Sequence, residues 1–481
     1  MKRQKKLMIL SGILVICAAG AVAVSRIDFE EKMTGTETAV VDVDSEDITY
    51  LAWTCEGEEN AFTCEDGKWS YEGDDRMAVD QDLLNEIAEN LSDITSDKKV
   101  EEVQSLGVYG LNDPLYNITI KTADDTYEIA VGDETFSDGE VYISNGDGYV
   151  YLTDSKLIDD ISYSLLDCVQ KEEIPEMESI SEVSVKNEDT VDMVYQEDSG
   201  YCYSDAYTYY MKDGEEWVNL DNENTENTFS QLSEFSWEEC VDYYAEESEL
   251  SAYGLDDPAA SVSITYVPAE DQEEADSSNN GSEEEDDDGS EESSQQEFKY
   301  EVGMSDDIYY AKLKESDIVY RISGEVYSAA VNASYDELKP DELILLDRDT
   351  VDSVEIELEG NVYTVKLEKG GDDEYTYTFD DSEIEFGDVL DELAELSAAS
   401  DEEEDAPDGE PVLNDNKLEL SLTFHRNTDE YSTVELELYQ YDGSYCIAVL
   451  NGKEMSYTDR ESVVALKESI NSVILDSTSE K

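Results

Sequence analysis

The sequence has very few histidines and few basic residues. His425 is the one histidine in 481 residues, so sites that need several histidines, for catalysis or for metal binding, are nearly excluded. Lys and Arg together number 29 against 125 Asp and Glu, which gives a formal net charge of −96. Nucleic acids and anionic lipid surfaces are bound through basic faces. We therefore expect no nucleic acid among the partners.

Short motifs of several enzyme and metal-binding classes are also missing. The sequence has no C-x-x-C and no G-x-S-x-G, and neither of its two acidic runs fits the loop of an EF-hand. Carboxylates are so abundant that no pair stands out as an acid and a base, which makes a carboxylate hydrolase the least favoured of three functional hypotheses. We predict no catalytic residue, no cofactor and no specific metal site, and we expect that the protein is not an enzyme.

The seven cysteines are widely spaced, unlike those of a disulfide scaffold. Cys168 continues an apolar helix face and Cys446 lies in a predicted strand, so both are expected to be small buried hydrophobic residues. Cys55 and Cys64 flank a predicted hairpin turn and are the one pair whose position suits a bridge. Unbridged cysteines are nevertheless the favoured interpretation.

Acidic residues are spread over the whole chain and are densest in two runs. Residues 270–297 contain 14 acids and no base, and residues 401–410 contain seven acids and no base. Such compositions cannot bury enough apolar surface to order themselves, so 270–297 is predicted to be a disordered insert and 401–410 a solvated acidic loop. Hydrophobic residues at 39% and aromatic residues at 10% are enough for packed cores elsewhere, and the length predicts two to four domains.

The N-terminus has the pattern of a membrane anchor. Four basic residues within positions 1–6 precede 18 uncharged, mostly apolar residues at 7–24. As a helix this run would span about 27 Å, close to the ~30 Å hydrocarbon core of a bilayer. The basic end is expected inside the cell and the bulk of the chain outside. We favour an uncleaved anchor, and the alternative is a signal peptide cleaved near 21–23, which would release a secreted protein.

An internal repeat is the strongest signal in the sequence. Residues 109–114 read YGLNDP and residues 253–258 read YGLDDP, and each turn is followed by the alternating pattern of a strand. A worn third copy at 411–422 has Val412 in place of the glycine and Asn416 in place of the proline. The sequence therefore predicts three related repeats, which we call repeats 1, 2 and 3 and place at 48–178, 179–350 and 351–476.

The elements around the turns also align between the repeats. Apolar alternation with period two predicts hairpins at 48–64, 180–196 and 351–367. An aromatic residue (Trp69, Tyr201 or Tyr375) and a helix follow each hairpin. Further strands and a closing helix follow each turn, with closing helices at 156–168 in repeat 1 and at 460–474 in repeat 3. The predicted fold class is α+β, with three repeats of antiparallel sheet plus helices after an N-terminal transmembrane helix.

The turn residues are predicted to have a structural role. The two glycines can adopt positive φ without steric cost, and each proline restricts the aspartate before it to extended geometry. The aspartates are expected to bond nearby backbone groups, and the leucines are expected to fill the core. The predicted structural motif consists of Tyr109, Gly110, Leu111, Asp113, Pro114, Tyr253, Gly254, Leu255, Asp257, Pro258 and Trp69.

The pattern resembles the bacterial domain of unknown function 4340 family. The resemblance is carried by the N-terminal anchor, the strand pair ending at Trp69, the helix near 80–94, and the turn 109–114 with the strands after it. It covers repeat 1 well and repeat 2 fairly, and it reaches repeat 3 only through the repeat alignment. Members look like membrane-tethered extracytoplasmic factors and are often encoded beside ABC-type export components. The resemblance therefore implies a single-pass protein of the cell envelope, with an ABC-type ATPase and permease as possible partners.

Two further functional hypotheses follow. The first is a non-enzymatic, membrane-anchored extracytoplasmic protein that serves as an accessory or scaffold component of an ABC-type transport system. The second is an extracytoplasmic binding module for a cell-wall glycan, a peptide or divalent cations. Strand tyrosines between Tyr201 and Tyr210 would stack on sugars in that case, although tyrosine is also a common strand former. The sequence leaves the ligand, the partner and the oligomeric state open.

Overall fold

Alternating apolar residues place one face of each predicted hairpin in a core. The computed structural model describes residues 33–479 apart from 35–37, 56, 101, 104, 136–138, 198–199, 215, 270–294, 372–373, 400–406, 408 and 410. In it the three predicted hairpins are antiparallel strand pairs. The fold is a mixture of helices and mostly antiparallel sheets, as the α+β prediction expected.

The first sheet contains the hairpin of repeat 1 at one edge. The strands of this part of the chain are β1 (Met33–Thr34), β2 (Thr38–Asp42), β3 (Tyr50–Cys55), β4 (Glu58–Glu65), β5 (Lys68–Tyr71), β6 (Asp93–Ser96), β7 (Lys98–Val100), β8 (Tyr116–Lys121), β9 (Thr126–Glu134), β10 (Glu140–Ser144) and β11 (Val150–Asp154). The sheet order is β1-β7-β11-β10-β9-β8-β3-β4-β5, while β2 pairs with β6.

The next strands belong to repeat 2. They are β12 (Met177–Lys186), β13 (Thr190–Tyr195), β14 (Tyr209–Asp213), β15 (Glu216–Asn219), β16 (Cys240–Asp242), β17 (Ala260–Pro268), β18 (Gln296–Ser305), β19 (Ile308–Leu313) and β20 (Val319–Arg321). Strands β15-β14-β13-β12-β17-β18-β19 lie side by side in that order. Because β18 starts at Gln296, the predicted acidic insert ends at least two residues earlier than 297.

The last sheet belongs to repeat 3. Its strands are β21 (Val351–Leu358), β22 (Asn361–Lys369), β23 (Tyr375–Phe379), β24 (Ser382–Ile384), β25 (Lys417–Arg426), β26 (Thr433–Gln440), β27 (Tyr445–Leu450) and β28 (Lys453–Asp459). Their order is β24-β23-β22-β21-β25-β26-β27-β28.

One strand order recurs in all three sheets. In each, the first strand of the hairpin pairs with the strand that follows the turn, which gives β4-β3-β8-β9, β13-β12-β17-β18 and β22-β21-β25-β26. The turn therefore leads into a strand at the centre of its sheet. Its conformation sets where that strand begins.

Seven helices occur within the described residues. They are α1 (Gln81–Ser92), α2 (Lys156–Asp159), α3 (Asn222–Ser233), α4 (Gly324–Asn332), α5 (Tyr335–Leu338), α6 (Gly387–Ala394) and α7 (Arg460–Ser479). Asp80 caps α1 by accepting the amide of Leu83 at 3.0 Å, and Asp221 caps α3 by accepting the amide of Asn224 at 2.7 Å. These caps satisfy amides that have no partner inside the helix, so both helices begin directly after an aspartate.

The closing helix predicted at 156–168 is wrong in its extent. Only α2 and a separate 3-10 turn at Leu166–Cys168 form there. The carbonyl of Tyr163 accepts the indole of Trp53 at 2.8 Å and the amide group of Asn60 at 3.0 Å. Side chains from β3 and β4 thus bind a carbonyl that a continuous helix would use for its own hydrogen bond.

The described residues divide into two compact units. The first contains the chain up to Glu172 together with 239–245 and 317–320, and the second contains the other residues up to the C-terminal end. Predicted repeats 2 and 3 therefore share most of the second unit, and the predicted repeat boundaries stay predictions. Within the first unit, the Arg76 guanidinium lies 3.9 Å from the ring centre of Tyr244, which attaches segment 239–245.

The tyrosines proposed as sugar-stacking residues are mostly buried. Tyr203, Tyr207 and Tyr210 belong to the core of the second unit, together with apolar residues of repeat 3. The Tyr207 hydroxyl donates to Glu342 at 2.9 Å, and Tyr201 stacks on Trp217 with ring centres 4.7 Å apart. A ring that is inside a core cannot meet a sugar, so this part of the binding hypothesis is wrong for these three residues.

None of the six described cysteines forms a disulfide bond. Cys168 and Cys446 are fully buried, as expected for small hydrophobic residues. Cys55 pairs in register with Glu58, whereas Cys64 lies at the other end of β4 and faces Trp69. Because Cys55 lies next to the hairpin turn and Cys64 lies near the far end of β4, the two thiols are at opposite ends of the hairpin and are not bridged.

Some sequence predictions fall outside the described residues. These are the basic end at 1–6, the anchor at 7–24, most of the insert 270–297 and most of the acidic loop 401–410. Within the part of the chain that the structure describes, no helix is long and apolar enough to cross a membrane.

A buried carboxylate connects β25 with α7 in the second unit. The side chain of Glu419 is 4% exposed, and Lys417, Arg460 and Lys467 all lie within ion-pair distance of it. Burial alone would raise the pKa of Glu419, but hydrogen bonds and charges of Lys467 and Lys417 outweigh burial and lower it. The carboxylate is therefore held ionised inside the fold.

Replacing Glu419 with Gln should lower the free energy of unfolding by about 3 kcal/mol near neutral pH, because three cations lose their shared partner. A carboxylate whose pKa is lowered by folding stabilises the protein above its unfolded-state pKa of about 4.3, and this contribution is lost as the pH falls through the folded pKa. The difference between the two proteins should thus shrink below about pH 4. Urea unfolding followed by circular dichroism at several pH values measures it.

The matched control is Glu383→Gln, which removes the same charge from an exposed position on β24 of the same sheet. It should leave the unfolding curve almost unchanged. Equal curves for Glu419→Gln and Glu383→Gln at neutral pH would contradict the role assigned to the buried carboxylate.

Candidate functional site

The first predicted turn is held by its glycine, leucine and tyrosine. Gly110 ends a short 3-10 helix, Leu106–Tyr109, with a φ of 75°. The amide of Leu111 donates to the carbonyl of Leu106 at 3.0 Å, and the Leu111 side chain is buried. The ring of Tyr109 is buried edge-on against Tyr142, with ring centres 5.0 Å apart. The turn is therefore attached to the sheet at three successive residues.

The second turn repeats this geometry. Gly254 has a φ of 67°, and the amide of Leu255 donates to the carbonyl of Leu250 at 3.0 Å. Leu255 is buried, and Tyr253 packs edge-on against Tyr310 at 5.2 Å between ring centres. The same residue types thus make the same contacts in both units, which supports a structural role for the motif.

Each turn is completed by one strand glycine that the sequence argument missed, Gly132 in repeat 1 and Gly303 in repeat 2. A Cβ atom on Gly110 would lie 2.6 Å from the backbone nitrogen of Asp133, and one on Gly132 would overlap the carbonyl oxygen of Tyr109. In repeat 2, a Cβ on Gly254 would lie 2.5 Å from the carbonyl oxygen of Met304. Gly303 likewise faces the carbonyl of Gly254 with no room for a side chain. The turn and the strand touch backbone to backbone.

A signal for the partner glycines was present in the sequence. Both follow a valine in the second strand after the turn, as Val131-Gly132 in β9 and Val302-Gly303 in β18. The strand registers place Gln440 at the equivalent point of repeat 3. The third copy has therefore lost both members of the pair, since Val412 replaces the turn glycine.

The aspartates and prolines of the motif lie nearer to the protein surface than its buried leucines. Asp113 and Asp257 are exposed, and Pro114 and Pro258 are half-buried. Neither carboxylate accepts a hydrogen bond from another described residue, so the expected bonds of these side chains to nearby backbone groups are not formed. Both stand at the surface beside a fixed turn.

Three large apolar residues next to the first turn in sequence are exposed. Leu106, Val108 and Leu115 are 39%, 59% and 57% exposed, and we call these three residues the apolar tip. In the second turn the equivalent residues are Leu250, which is half-buried, and the small residues Ala252 and Ala259. Repeat 1 therefore presents apolar surface at a place where repeat 2 does not.

Trp69 joins the first hairpin to α1. Its indole is buried and donates to the side chain of Asn85 at 2.9 Å, while its backbone amide donates to Gln81 at 2.8 Å. Gln81 in turn donates to the carbonyl of Trp69 at 3.0 Å. This reciprocal pair of bonds fixes the helix against the strand. The aromatic residue after the hairpin is thus a packing and hydrogen-bonding residue.

A comparison with known protein families finds a match to the part of the chain that contains Trp69 and both turns. The family described as Domain of unknown function (DUF4340) matches residues 69–258, from Trp69 to the proline of the second turn. Residues 69–258 belong to the DUF4340 family. The family resemblance seen in the sequence is confirmed over this segment. No curated protein and no solved structure was found to be similar to the chain.

The DUF4340 segment contains both complete turns and the apolar tip, but a second candidate site lies outside it. In the second unit a cavity of about 470 Å³ lies beside β28. Its walls include Tyr335, Lys339, Lys453, Met455 and Tyr457. We call it the edge cavity, and its volume is within the range of ligand pockets.

Shifted pKa values occur mostly in ion pairs and in the cores. Two hydrogen bonds from the Arg76 guanidinium lower the pKa of Asp74 to about 2. Burial raises the pKa of Cys168 to about 12 and that of Cys446 to about 11. His425 is exposed near the end of β25. In the described ranges no three His, Cys, Asp or Glu side chains are grouped to hold a metal ion.

Replacing Gly132 with Ala should destabilise the first unit by about 2 kcal/mol or more, because the new methyl group would force the turn away from β9. Gly110→Ala should have a similar effect, since it adds positive-φ strain to a clash with Asp133. Chemical unfolding monitored by tryptophan fluorescence measures both, because Trp53 and Trp69 report on this unit.

Gly443→Ala is the matched control, as a Cβ there meets nothing within 4 Å and its φ is ordinary. It should leave stability unchanged. Unaltered unfolding of Gly132→Ala would show that the backbone contact does not hold the turn.

Proposed function

We propose that the chain is a non-enzymatic, membrane-anchored extracytoplasmic protein, and that it acts as an accessory or scaffold component of an ABC-type transport system. The observation that carries the proposal is the apolar tip within the DUF4340 segment. The basic and apolar pattern at 1–24 supports the membrane location, and the family resemblance supports the transport setting.

The apolar tip has the properties of a protein contact surface. Large apolar side chains grouped at a surface mark interaction sites more often than scattered ones do, and the centres of interfaces are depleted in charge. Val108 and Leu115 are more than half exposed on a chain with a net charge of −96. Elsewhere, dense negative charge would oppose close approach of an acidic partner. The tip is a place where an apolar partner surface can dock without separating charges from water.

The rigid turn suits this role. The paired glycines and the buried Leu111 hold the tip in one conformation, so little conformational entropy is lost when a partner binds. We interpret the recurring strand order as three related repeats, of which repeat 1 carries the contact surface. Repeats 2 and 3 then serve as the body of the scaffold.

Affinity purification from native membranes in mild detergent tests the proposal. We expect the full-length protein to recover an ABC-type ATPase and permease in stoichiometric amounts. The triple variant Leu106→Ser, Val108→Ser, Leu115→Ser should reduce this recovery by about tenfold or more, because three apolar contacts are lost. Quantitative mass spectrometry gives the recovery of each subunit.

The control is the triple variant Val362→Ser, Val412→Ser, Leu475→Ser, whose side chains are 58%, 61% and 61% exposed in the second unit. It changes apolar surface equally and should keep the complex. Recovery of the protein alone would reject a stable complex, and equal loss in both triple variants would reject the tip as the contact surface.

The anchor has a separate test. If residues 7–24 span the membrane, the protein should stay in the membrane after alkaline extraction and keep its intact N-terminus by mass spectrometry. External protease should remove the bulk of the chain from intact cells stripped of their wall. A mature N-terminus after position 23, found in the medium, would instead support cleavage and secretion.

A binding module is the second candidate function. The edge cavity favours it, because tyrosine rings and lysine side chains line this cavity together.

A further inference from the structure

Two Asn-Gly pairs lie in connections between described strands. Asn145-Gly146 belongs to the loop between β10 and β11, and Asn451-Gly452 is the turn between β27 and β28. A third pair, at 280–281, lies outside the described residues. An asparagine before a glycine is open to attack by the backbone nitrogen of the glycine, because glycine has no side chain to block the approach. The two described pairs therefore place the same chemistry in two different surroundings.

The reaction is a cyclisation that releases ammonia. The backbone nitrogen of the glycine attacks Cγ of the asparagine and forms a new C–N bond. The side-chain nitrogen leaves as ammonia, which takes up the proton that the glycine nitrogen loses. Water then opens the five-membered imide at one of its two carbonyl carbons, and the product is aspartate or isoaspartate. No oxidant or cofactor takes part, so the rate depends on how readily the nitrogen reaches Cγ.

Asn451 is held away from the geometry of attack. Its backbone amide donates to the carbonyl of Glu435 at 2.8 Å, and its Oδ1 accepts the backbone amide of Glu435 at 2.9 Å. These reciprocal bonds direct the side chain towards β26. Asn451 and Gly452 have φ values of 53° and 80°, as in a tight two-residue hairpin turn. Cγ can therefore meet the nitrogen of Gly452 only after the bonds to Glu435 break and the hairpin opens.

Asn145 is bonded inside its own loop instead. Its Oδ1 accepts the backbone amide of Asp147 at 3.2 Å, which folds the side chain back over the Gly146 peptide. The amide of Gly146 donates to Oγ of Ser144 at 3.4 Å. Both distances are at or beyond the long end of the usual range, and residues 146–149 are exposed. The side chain thus starts beside the attacking nitrogen, and weak local bonds oppose the movement that joins them.

The product would add a negative charge to an ordered loop. Asp147 accepts the hydroxyl of Tyr151 and the backbone amide of Tyr149 at 2.9 Å. The ammonium group of Lys99 lies 3.4 Å from the ring centre of Tyr149. A carboxylate at position 145 would repel that of Asp147, and isoaspartate would also lengthen the backbone by a methylene group. Old and new molecules would then differ in charge within the DUF4340 segment.

We propose that Asn145 is a site of spontaneous deamidation in the folded protein, and that Asn451 is protected from the same reaction by its hydrogen bonds with Glu435. The modified residue lies in the first unit and the protected one in the second. The proposal does not depend on the contact surface proposed for the apolar tip.

The test is incubation of the purified full-length protein at neutral pH in heavy-oxygen water, followed by peptide mapping with mass spectrometry. Heavy oxygen in the product marks imides that were hydrolysed during the incubation. Asn145 should deamidate about tenfold or more faster than Asn451, because the rate follows access to the geometry of attack. The peptide that contains position 145 should appear as separable aspartate and isoaspartate forms. Its rate of formation should rise with pH, since the attacking nitrogen must lose its proton.

Unfolding is the control for intrinsic reactivity. In concentrated guanidinium chloride both pairs should react at similar rates, because glycine follows each asparagine and the folded contacts are gone. Asn145→Gln lengthens the side chain and disfavours the five-membered ring. This variant should lose deamidation at position 145 and keep the slow rate at Asn451. Circular dichroism before and after incubation shows that the untreated samples stay folded.

Three outcomes would overturn the proposal. One is an equal rate at the two pairs in the folded protein, or a faster rate at Asn451. Another is survival of Asn145 in the folded protein over times in which the unfolded chain reacts. The third is a difference between the two pairs that persists in guanidinium chloride, since flanking sequence and not the fold would then set the rates.

Discussion

Mutual repulsion among 125 carboxylates is the constraint under which the whole chain folds. Some of the 29 basic residues pair with carboxylates at connections between elements of the fold. Lys417, Arg460 and Lys467 surround the buried Glu419, and Arg76 binds Asp74 through two hydrogen bonds. The first cluster connects a strand to the last helix, and the second lies beside segment 239–245. Charge pairing thus stabilises connections, while apolar strand faces supply the cores.

Because the chain carries a net charge of −96, surface with few carboxylates is a candidate for binding partners. The apolar tip and the edge cavity are two such places in the part of the chain that the structure describes. The tip stands on a turn held by backbone contact between Gly110 and Asp133 and between Gly132 and Tyr109. The cavity stands beside the edge of a sheet. Both are therefore presented by rigid elements, which is what specific recognition requires.

Much of the fold could be predicted because its signals are local. Alternation of apolar residues located the hairpins, and Asp80 marks the start of α1 by capping it. The YGLxDP turns were recognised from Gly110 and Gly254, whose positive φ is a local property. Gly132 and Gly303 were missed, because their need for glycine comes from a turn that is distant in sequence. The edge cavity was missed for the same reason, since Tyr335 and Tyr457 are brought together only by folding.

By itself the sequence determined the strand pairs, the capped helices, the family and the overall charge, since each depends on neighbouring residues or on composition. The tertiary structure alone decided three further features. It interrupted the predicted helix 156–168, where Trp53 and Asn60 bind the Tyr163 carbonyl that a longer helix would use. It buried Tyr203, Tyr207 and Tyr210 in a core with residues of repeat 3. It placed the last strand of the last sheet beside a cavity. Each of these depends on which distant residues meet, and that is settled by packing.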